Sequence, residues 1–240
     1  MLILGYSVVA YACFLASSVW AVFFLAGGVD HGATVPAWQA LAIDGALLLA
    51  FAAQHSVMAR PAVKRHLTRL IPPAAERSTY VLIASLLLFA QFAFWQPLPA
   101  VIWDVDRPWS PAIWVVYAAG WLLVVWSTYM VDHADFLGLR QAWTHLRRLS
   151  YAAPTFTERY LYAWLRHPMM LGLLIAFWAT PHLSAGHLFF AIAASGYIAV
   201  GIRFEERDLR ASLGPDYAAY AERVPALVPR HRRRAGAPAR

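Results

Sequence analysis

Four stretches in the first 130 residues, 2–27, 37–56, 79–95 and 112–130, are runs of predominantly apolar residues. Each is about 20 residues long, the length an α-helix needs to cross a hydrocarbon core about 30 Å thick. Lipid offers no partner to a backbone N–H or C=O, so such runs satisfy their hydrogen bonds internally, as helices. Composition agrees: 60% of residues are hydrophobic and 14% charged, and the mean hydropathy is +0.50, which excludes an ordinary soluble domain. The first run has no basic segment before it and no small-residue cleavage site, so it reads as a retained helix rather than a signal peptide. Cys13, the lone cysteine, lies inside that run and has no partner for an intramolecular disulfide or a multi-cysteine metal site.

Charge sets the expected orientation. The loop after the first run carries no lysine or arginine, whereas the segment after the second carries Arg60, Lys64, Arg65, Arg69 and Arg77, which the positive-inside rule places in the cytoplasm. The tryptophan- and proline-rich stretch after the third run has a single arginine, Arg107, and belongs outside. The net charge of +7 and isoelectric point near 9.9 therefore read as topology determinants scattered between apolar runs. They do not form the basic patch of a nucleic-acid-binding domain.

Residues 131–167 are amphipathic and too polar to span, with Arg140, Arg147, Arg148, Arg159 and Arg166 among them. Two shorter apolar stretches follow, 168–180 and 186–202, and the first is barely long enough to cross. No internal repeat is visible. The expectation is an all-α polytopic transmembrane bundle of five to six membrane helices, one domain over 1–240. It comprises four transmembrane helices in 1–130, a cytoplasmic connector in 131–167, a helical hairpin in 168–204 and a cytoplasmic tail in 205–240. The membrane expected is a bacterial inner membrane, with both termini in the cytoplasm.

Two clusters stand out against this apolar background. In "RHPMMLG", residues 166–172, His167 before Pro168 marks a helix start, because proline is pre-organised for the first helical position. The helix end offers free N–H groups and a positive dipole to a carboxylate or phosphate, and Arg166 adds charge-assisted hydrogen bonds. Gly172, one turn in, allows close approach of a ligand or of backbone. In "RFEERDLRASLGPDYAAYAERVPALVP", which begins as the last apolar stretch ends, the adjacent acids Glu205 and Glu206 suit an ammonium group or another cation. The plainer readings are an interfacial Arg–His anchor and a solvated helix with a Glu206–Arg210 pair.

The two clusters and their spacing resemble the C-terminal signature of the membrane methyltransferases related to isoprenylcysteine carboxyl methyltransferase and phospholipid methyltransferase. That pattern is Arg-His-Pro-x-Tyr-x-Gly, a hairpin, a Glu-Glu pair, Gly-x-x-Tyr-x-x-Tyr and a Val-Pro ending. "QHSVMARP" (54–61), "ERSTYVL" (76–82), "DFLGLRQ" (135–141) and "AFWATPHLSAGHLFFA" are similar to the NnrU-like branch of that superfamily, and within it to the methanethiol S-methyltransferase family. The resemblance covers residues 2–229. Met170 stands where the superfamily pattern has tyrosine, so no role of that tyrosine carries over, although a thioether can fill the same apolar space.

What the resemblance implies is S-adenosylmethionine as methyl donor, in a cytoplasm-facing pocket made by the hairpin ends and the tail. Glu205 or Glu206 would take the donor's ammonium. Arg166, His167 and the helix end opened by Pro168, with Gly172 close by, would take its carboxylate. Tyr217 and Tyr220, three apart on one helical face, would cover the adenine or the sulfonium, or simply pack. The acceptor implied is a small thiol, methanethiol, giving dimethyl sulfide. A thiolate is the nucleophile, so a base or a positive charge is needed, and the candidates are His133, Arg140 and His55. Each also reads as an interfacial cap or topology charge. His66, His145, His182, His187 and His231 read as loop or interface residues, and Trp95, Trp121, Trp126 and Trp178 as lining a tunnel or packing. Membrane lipid is the other partner; neither a metal, nucleic acid nor an obligate protein partner is expected.

Two other classes stay open at this point. One is a related enzyme that methylates an isoprenylcysteine carboxylate or a lipid amine. The other is a non-enzymatic NnrU-like membrane protein, such as a haem-binding or transport subunit. Haem calls for paired histidines at matching depths, and only His55 and His133 offer themselves, both at cytoplasmic ends. A transporter calls for repeated halves or mid-span charges, which apart from Asp44 the spans lack.

Overall fold

The computed structural model describes residues 1–153, 156 and 158–228. Its helices are α1 (Leu2–Leu25), α2 (Ala37–Met58), α3 (Pro61–Leu67), α4 (Pro73–Phe94), α5 (Ser110–Val131), α6 (His133–Phe136), α7 (Leu139–Leu146), α8 (Pro168–Trp178), α9 (Ala185–Leu213) and α10 (Pro215–Arg223). Two short strands, β1 (Val101–Asp104) and β2 (His182–Ser184), complete it. Helices α1, α2, α4, α5 and α9 are long and apolar enough to cross a membrane, and the chain is an integral membrane protein. Prolines open many of the helices: Pro61, Pro73, Pro111, Pro168 and Pro215 occupy first or second helical positions, where the missing N–H has no intrahelical partner to lose. The Ser184 hydroxyl caps α9 by accepting the His187 N–H at 3.1 Å, which satisfies one of the orphan donors of the first turn.

The bundle has two unlike ends. At one, the N-termini of α1, α4 and α8 meet the C-termini of α2, α5 and α9, and here lie Lys64 and, among the described residues, every arginine except Arg107. At the other, β1 pairs antiparallel with β2, Val101 opposite Ser184 and Asp104 opposite His182. Flanking bonds run from Ala185 N–H to Ala100 O at 2.7 Å and from Val105 N–H to Pro181 O at 2.9 Å. The all-α polytopic bundle expected is what the structure shows, with this short strand pair added at one end. Val101, Ile102 and Trp103 favour strand, and backbone in a loop at a membrane face needs partners that lipid cannot supply.

Phe24, Phe92, Trp95, Phe177 and Phe190 form an aromatic core between α1, α4, α8 and α9. Trp95 is buried in it while Trp126 is exposed on the outer surface, so the tryptophans expected to line a tunnel share no common lining. Helices α1 and α4 are joined by Ser78 donating to Ser7 at 2.7 Å and Tyr6 donating to Thr79 at 2.9 Å. Gly138, at φ +89°, lets the α6–α7 turn lie directly on Ser78; a Cβ there would sit 2.4 Å from the Ser78 hydroxyl.

Helix α8 spans only about 16 Å, too short to cross, and it lies flat against α5. A Cβ on Gly172 would meet Gly120 O at 2.7 Å and Val124 N at 2.9 Å, and one on Gly120 would meet Gly172 O at 2.9 Å. The two backbones touch, as small residues permit in membranes. This corrects the expectation that Gly172 borders the donor pocket: it serves the α5 crossing. The register also sets depth. Gly172 meets α5 between Gly120 and Val124, so α8 begins level with about residue 127, roughly 6 Å short of the end of α5.

Other expectations shift too. Helix α4 begins at Pro73 rather than 79, because Glu76 and Arg77 fit its first two turns. Helix α9 runs 29 residues to Leu213, about 43 Å, well past the apolar stretch ending at 202. Glu, Arg and Leu there are good helix formers, so the diacidic pair lies on a membrane helix extended beyond lipid rather than on a tail. Arg60 holds that extension, 3.5 Å from Asp208 and stacked over Phe204 at 4.7 Å. His187, read as an interface residue, is buried, its ring 2.9 Å from Phe177 O. Residues 229–240, with His231 and the end of the expected tail, lie outside the described residues.

The glycine crossing predicts that Gly120→Ala and Gly172→Ala each lower the thermal midpoint of the detergent-solubilised protein, by the about 1–3 kcal/mol typical of overpacking. Gly5→Ala, where nothing lies within 4 Å of the new carbon, leaves it unchanged or raises it. Equal midpoints for all three would contradict the contact.

Candidate functional site

The two sequence clusters come together at the basic end. The Arg166 Nε donates to Glu206 Oε1 at 2.6 Å, and His167 Nε2 lies 3.0 Å from the same oxygen. His167 Nδ1 lies 3.5 Å from Glu205 Oε2, and Arg210 the same distance from Glu206 Oε2. Arg166 and Glu206 side chains are 12% and 13% exposed and His167 only 3%. Removing one member of so buried a pair strands the other's charge and costs about 3–5 kcal/mol.

Arg166 also donates from its Nη1 to the carbonyls of Ala221, at 2.8 Å, and Val224. Its backbone N–H bonds Pro225 O at 3.0 Å, and that of His167 bonds Ala226 O at 3.1 Å. The Arg-His dipeptide thus clamps the end of α10 onto the start of α8. This revises the idea of a free anion-binding pair, because the charges of Arg166 and His167 are already answered by the two acids. Glu205, 47% exposed with one distant partner, is the acid with capacity to spare.

Beside the ion pair is a cleft of about 470 Å³ lined by Arg166, Ile202, Arg203, Glu206, Arg207 and Arg210. Four arginines against one glutamate make it strongly positive. Tyr217 and Tyr220 are not laid open to it: they are 1% and 2% exposed and pack with Val224 and the ring of Phe156. The Tyr220 hydroxyl donates to Tyr162 O at 2.7 Å. That of Tyr217 has no hydrogen-bond partner among the described residues, and burial, then the nearby Glu206 carboxylate, pushes its pKa up to about 12.

A second cluster surrounds His133 at the C-terminal end of α5. Its Nδ1 is 2.8 Å from the Thr128 hydroxyl and its Nε2 3.1 Å from the Tyr11 hydroxyl, while Tyr129 stacks on the ring at 4.4 Å. Burial holds the pKa of His133 below its ordinary value, the neighbouring Asp132 opposing in part. Arg140 does not point a free charge here: its Nη1 pairs with Asp132. Asp132 has φ +110°, a costly angle for a residue with a Cβ, and it caps α6 by accepting the Asp135 N–H at 3.0 Å.

His55 sits in an aromatic box, one wall of which, Tyr80, packs in the same cluster as Tyr11. Phe51 stacks on it at 5.2 Å, and Tyr80 and Tyr197 approach at 5.0 and 6.4 Å. Its Nδ1 is buried without a partner among the described residues. Tyr197 ties the box to α9, its hydroxyl 3.1 Å from that of Ser56.

Sequence reasoning passes over Tyr11, Thr128 and Asp132. Tyr11 is 122 residues from the histidine it meets, and nothing local marks it. Asp132, next to His133 and eight residues before Arg140, carries a detectable signal as an acid beside basic residues at a helix end.

Comparisons with known proteins bear on this site. The chain is 46% identical over 230 residues to the methanethiol S-methyltransferase of Mycobacterium tuberculosis, covering 93% of this chain and 94% of that protein. It is 44% identical over 236 residues to methanethiol S-methyltransferase 2 of Bradyrhizobium diazoefficiens, covering 95% and 90%. Nurim of Sus scrofa is 31% identical over 196 residues, 78% and 73% of the two chains. No family profile and no solved structure matches.

A pH dependence follows from His167. Burial works against its charged form, but bonds to and attraction by Glu205 and Glu206 outweigh this and raise its pKa above the ordinary 6.5. A group whose pKa rises on folding contributes stability that is complete below its unfolded value and is lost as pH climbs through the folded one. The melting-midpoint gap between wild type and His167→Gln is therefore widest near about pH 6 and narrows toward about pH 9. A gap constant across that range would show that folding leaves the ring's pKa unshifted.

Proposed function

The chain belongs to the methanethiol S-methyltransferase family, and from that premise we propose that it methylates methanethiol to dimethyl sulfide with S-adenosylmethionine as donor. The observation that carries this reading is the similarity, over nearly the whole chain, to proteins of that activity. The donor's amino-acid end has one ammonium and one carboxylate. Glu205, with spare capacity, suits the ammonium, and the cleft arginines Arg203, Arg207 and Arg210 suit the carboxylate. The cleft's surplus positive charge argues that the sulfonium stays on the Glu205 side. A volume near 470 Å³ is in the range of pockets that take small molecules. Arg166, His167 and Glu206 hold the frame.

When bound, the donor supplies an electrophilic methyl group on a sulfonium. What the protein must add is alignment, exclusion of water and a thiolate. His133, whose pKa burial lowers, serves as the base. Thr128 and His167 lie at nearly one depth: from the Gly172 crossing, Thr128 is about 9 Å along α5 and His167 about 7.5 Å along α8. Base and donor clusters thus occupy the same level of adjacent helices. The basic end faces the cytoplasm by the positive-inside rule, where the donor is made, and the inner membrane of a bacterium suits a small apolar acceptor that partitions into lipid.

Purified protein in detergent, given S-adenosylmethionine and methanethiol, is expected to release dimethyl sulfide into the headspace. Glu205→Gln is expected to weaken donor binding in calorimetry about tenfold or more, the worth of one charge-assisted contact. Output no higher than a heat-killed control would remove the thiol assignment, and unchanged affinity in the variant would remove Glu205 from the donor site.

A further inference from the structure

Both ring nitrogens of His133 are already engaged, so no acceptor reaches this base directly. The Thr128 hydroxyl spends its proton on Val125 O, 2.7 Å away, which leaves it only lone pairs for His133. Nδ1 therefore carries the ring proton and donates to Thr128. Nε2 is left as the lone pair, and it faces the Tyr11 hydroxyl at 3.1 Å. The ring is held flat by Tyr129, stacked 5° from parallel, and edge-on by Tyr11, at 87°. Three elements build this arrangement: α1 gives Tyr11, α5 gives Thr128 and Tyr129, and α6 begins with His133.

Resting on the methyltransfer reading above, we propose that Tyr11 is a catalytic residue that relays the proton of the acceptor thiol to His133. A tyrosine hydroxyl that aims its hydrogen at Nε2 turns its oxygen lone pairs away from the ring, where they can accept a thiol's proton. In the step, the S–H bond breaks as a new O–H bond forms on Tyr11, and the original Tyr11 O–H breaks as Nε2–H forms. The sulfur keeps its electron pair and attacks the methyl carbon; the bond from that carbon to the donor sulfur breaks, and its pair returns to the donor as a neutral thioether. The product is an imidazolium beside Asp132, whose charge, partly held by Arg140, favours it. The proton then leaves to water. The charged and titratable groups facing His133 are Tyr11 from α1, Tyr129 from α5 and Asp132 at the junction, with Arg140 of α7 behind Asp132.

A relay matters only when the thiol needs deprotonating, which separates it from a packing role. The test compares methanethiol with trifluoroethanethiol, a small but more acidic thiol, in wild type and Tyr11→Phe, with donor binding followed by calorimetry. In Tyr11→Phe at neutral pH, kcat/KM for methanethiol is expected to fall by about 10²-fold or more, the scale of general-base catalysis. The loss for trifluoroethanethiol is expected to stay below about tenfold, methanethiol turnover to recover as pH rises, and donor affinity to be unchanged, because a thiolate formed in solution bypasses the relay. Equal losses for both thiols at every pH would overturn the relay and leave Tyr11 a packing residue. Wild type that methylates neither thiol would instead sink the underlying activity. Should Tyr11→Phe not fold, Thr128→Val reads the same relay by freeing Nδ1: a loss selective for methanethiol supports it, and an equal loss overturns it.

Discussion

A carboxylate, Glu206, holds the basic end of this protein together. It projects from a helix that has just left the apolar layer, and it is mostly shielded from water. Burying such a charge is tolerated only with compensation, and Arg166 and His167 provide it from the start of the neighbouring helix. The same arginine then reaches the carbonyls of Ala221 and Val224, so one charge network joins α8, α9 and the C-terminal helix α10. The cleft, the partly free Glu205 and the unpaired Tyr217 hydroxyl all take their positions from it.

The membrane imposes the second constraint. Without hydrophobic drive between helices, close packing has to come from small residues, and Gly120 against Gly172 brings α5 and α8 into backbone contact. A short α8 pressed onto a full-length α5 starts below the rim of the bundle. This recess places His167 at the level of Thr128 and, through it, of His133. A helix long enough to span would have lifted the Arg-His pair out toward water and away from the level of His133.

Much of this was legible in the residues. Hydropathy alone marks the four long helices of the first 130 residues and the apolar part of α9, the loop arginines mark the two ends, and the joint spacing of Arg166, His167, Glu205 and Glu206 foretells their meeting, because a hairpin returns its ends to one side. What stayed hidden depends on contacts between distant segments. Gly172 could have served a ligand or a helix, and only the register with α5 decides for the helix. Arg140 looks like a free charge until Asp132 is seen against it. Tyr11 is one tyrosine among many in an apolar run, and its bond to His133 belongs to tertiary packing. The β1–β2 pair escaped because two strands of three or four residues carry too little alternation to register.

Fixed charges at the start of α8 and a partly buried histidine at the end of α5 make up the two polar clusters of this end. Central to this arrangement is that the Arg166–Glu206 pair is energetically coupled rather than merely adjacent. A double-mutant cycle of Arg166→Gln and Glu206→Gln, read as unfolding free energy in detergent, measures this directly. A coupling of about 3–5 kcal/mol, with each single change nearly as damaging as both together, is the predicted result; strictly additive losses would contradict it.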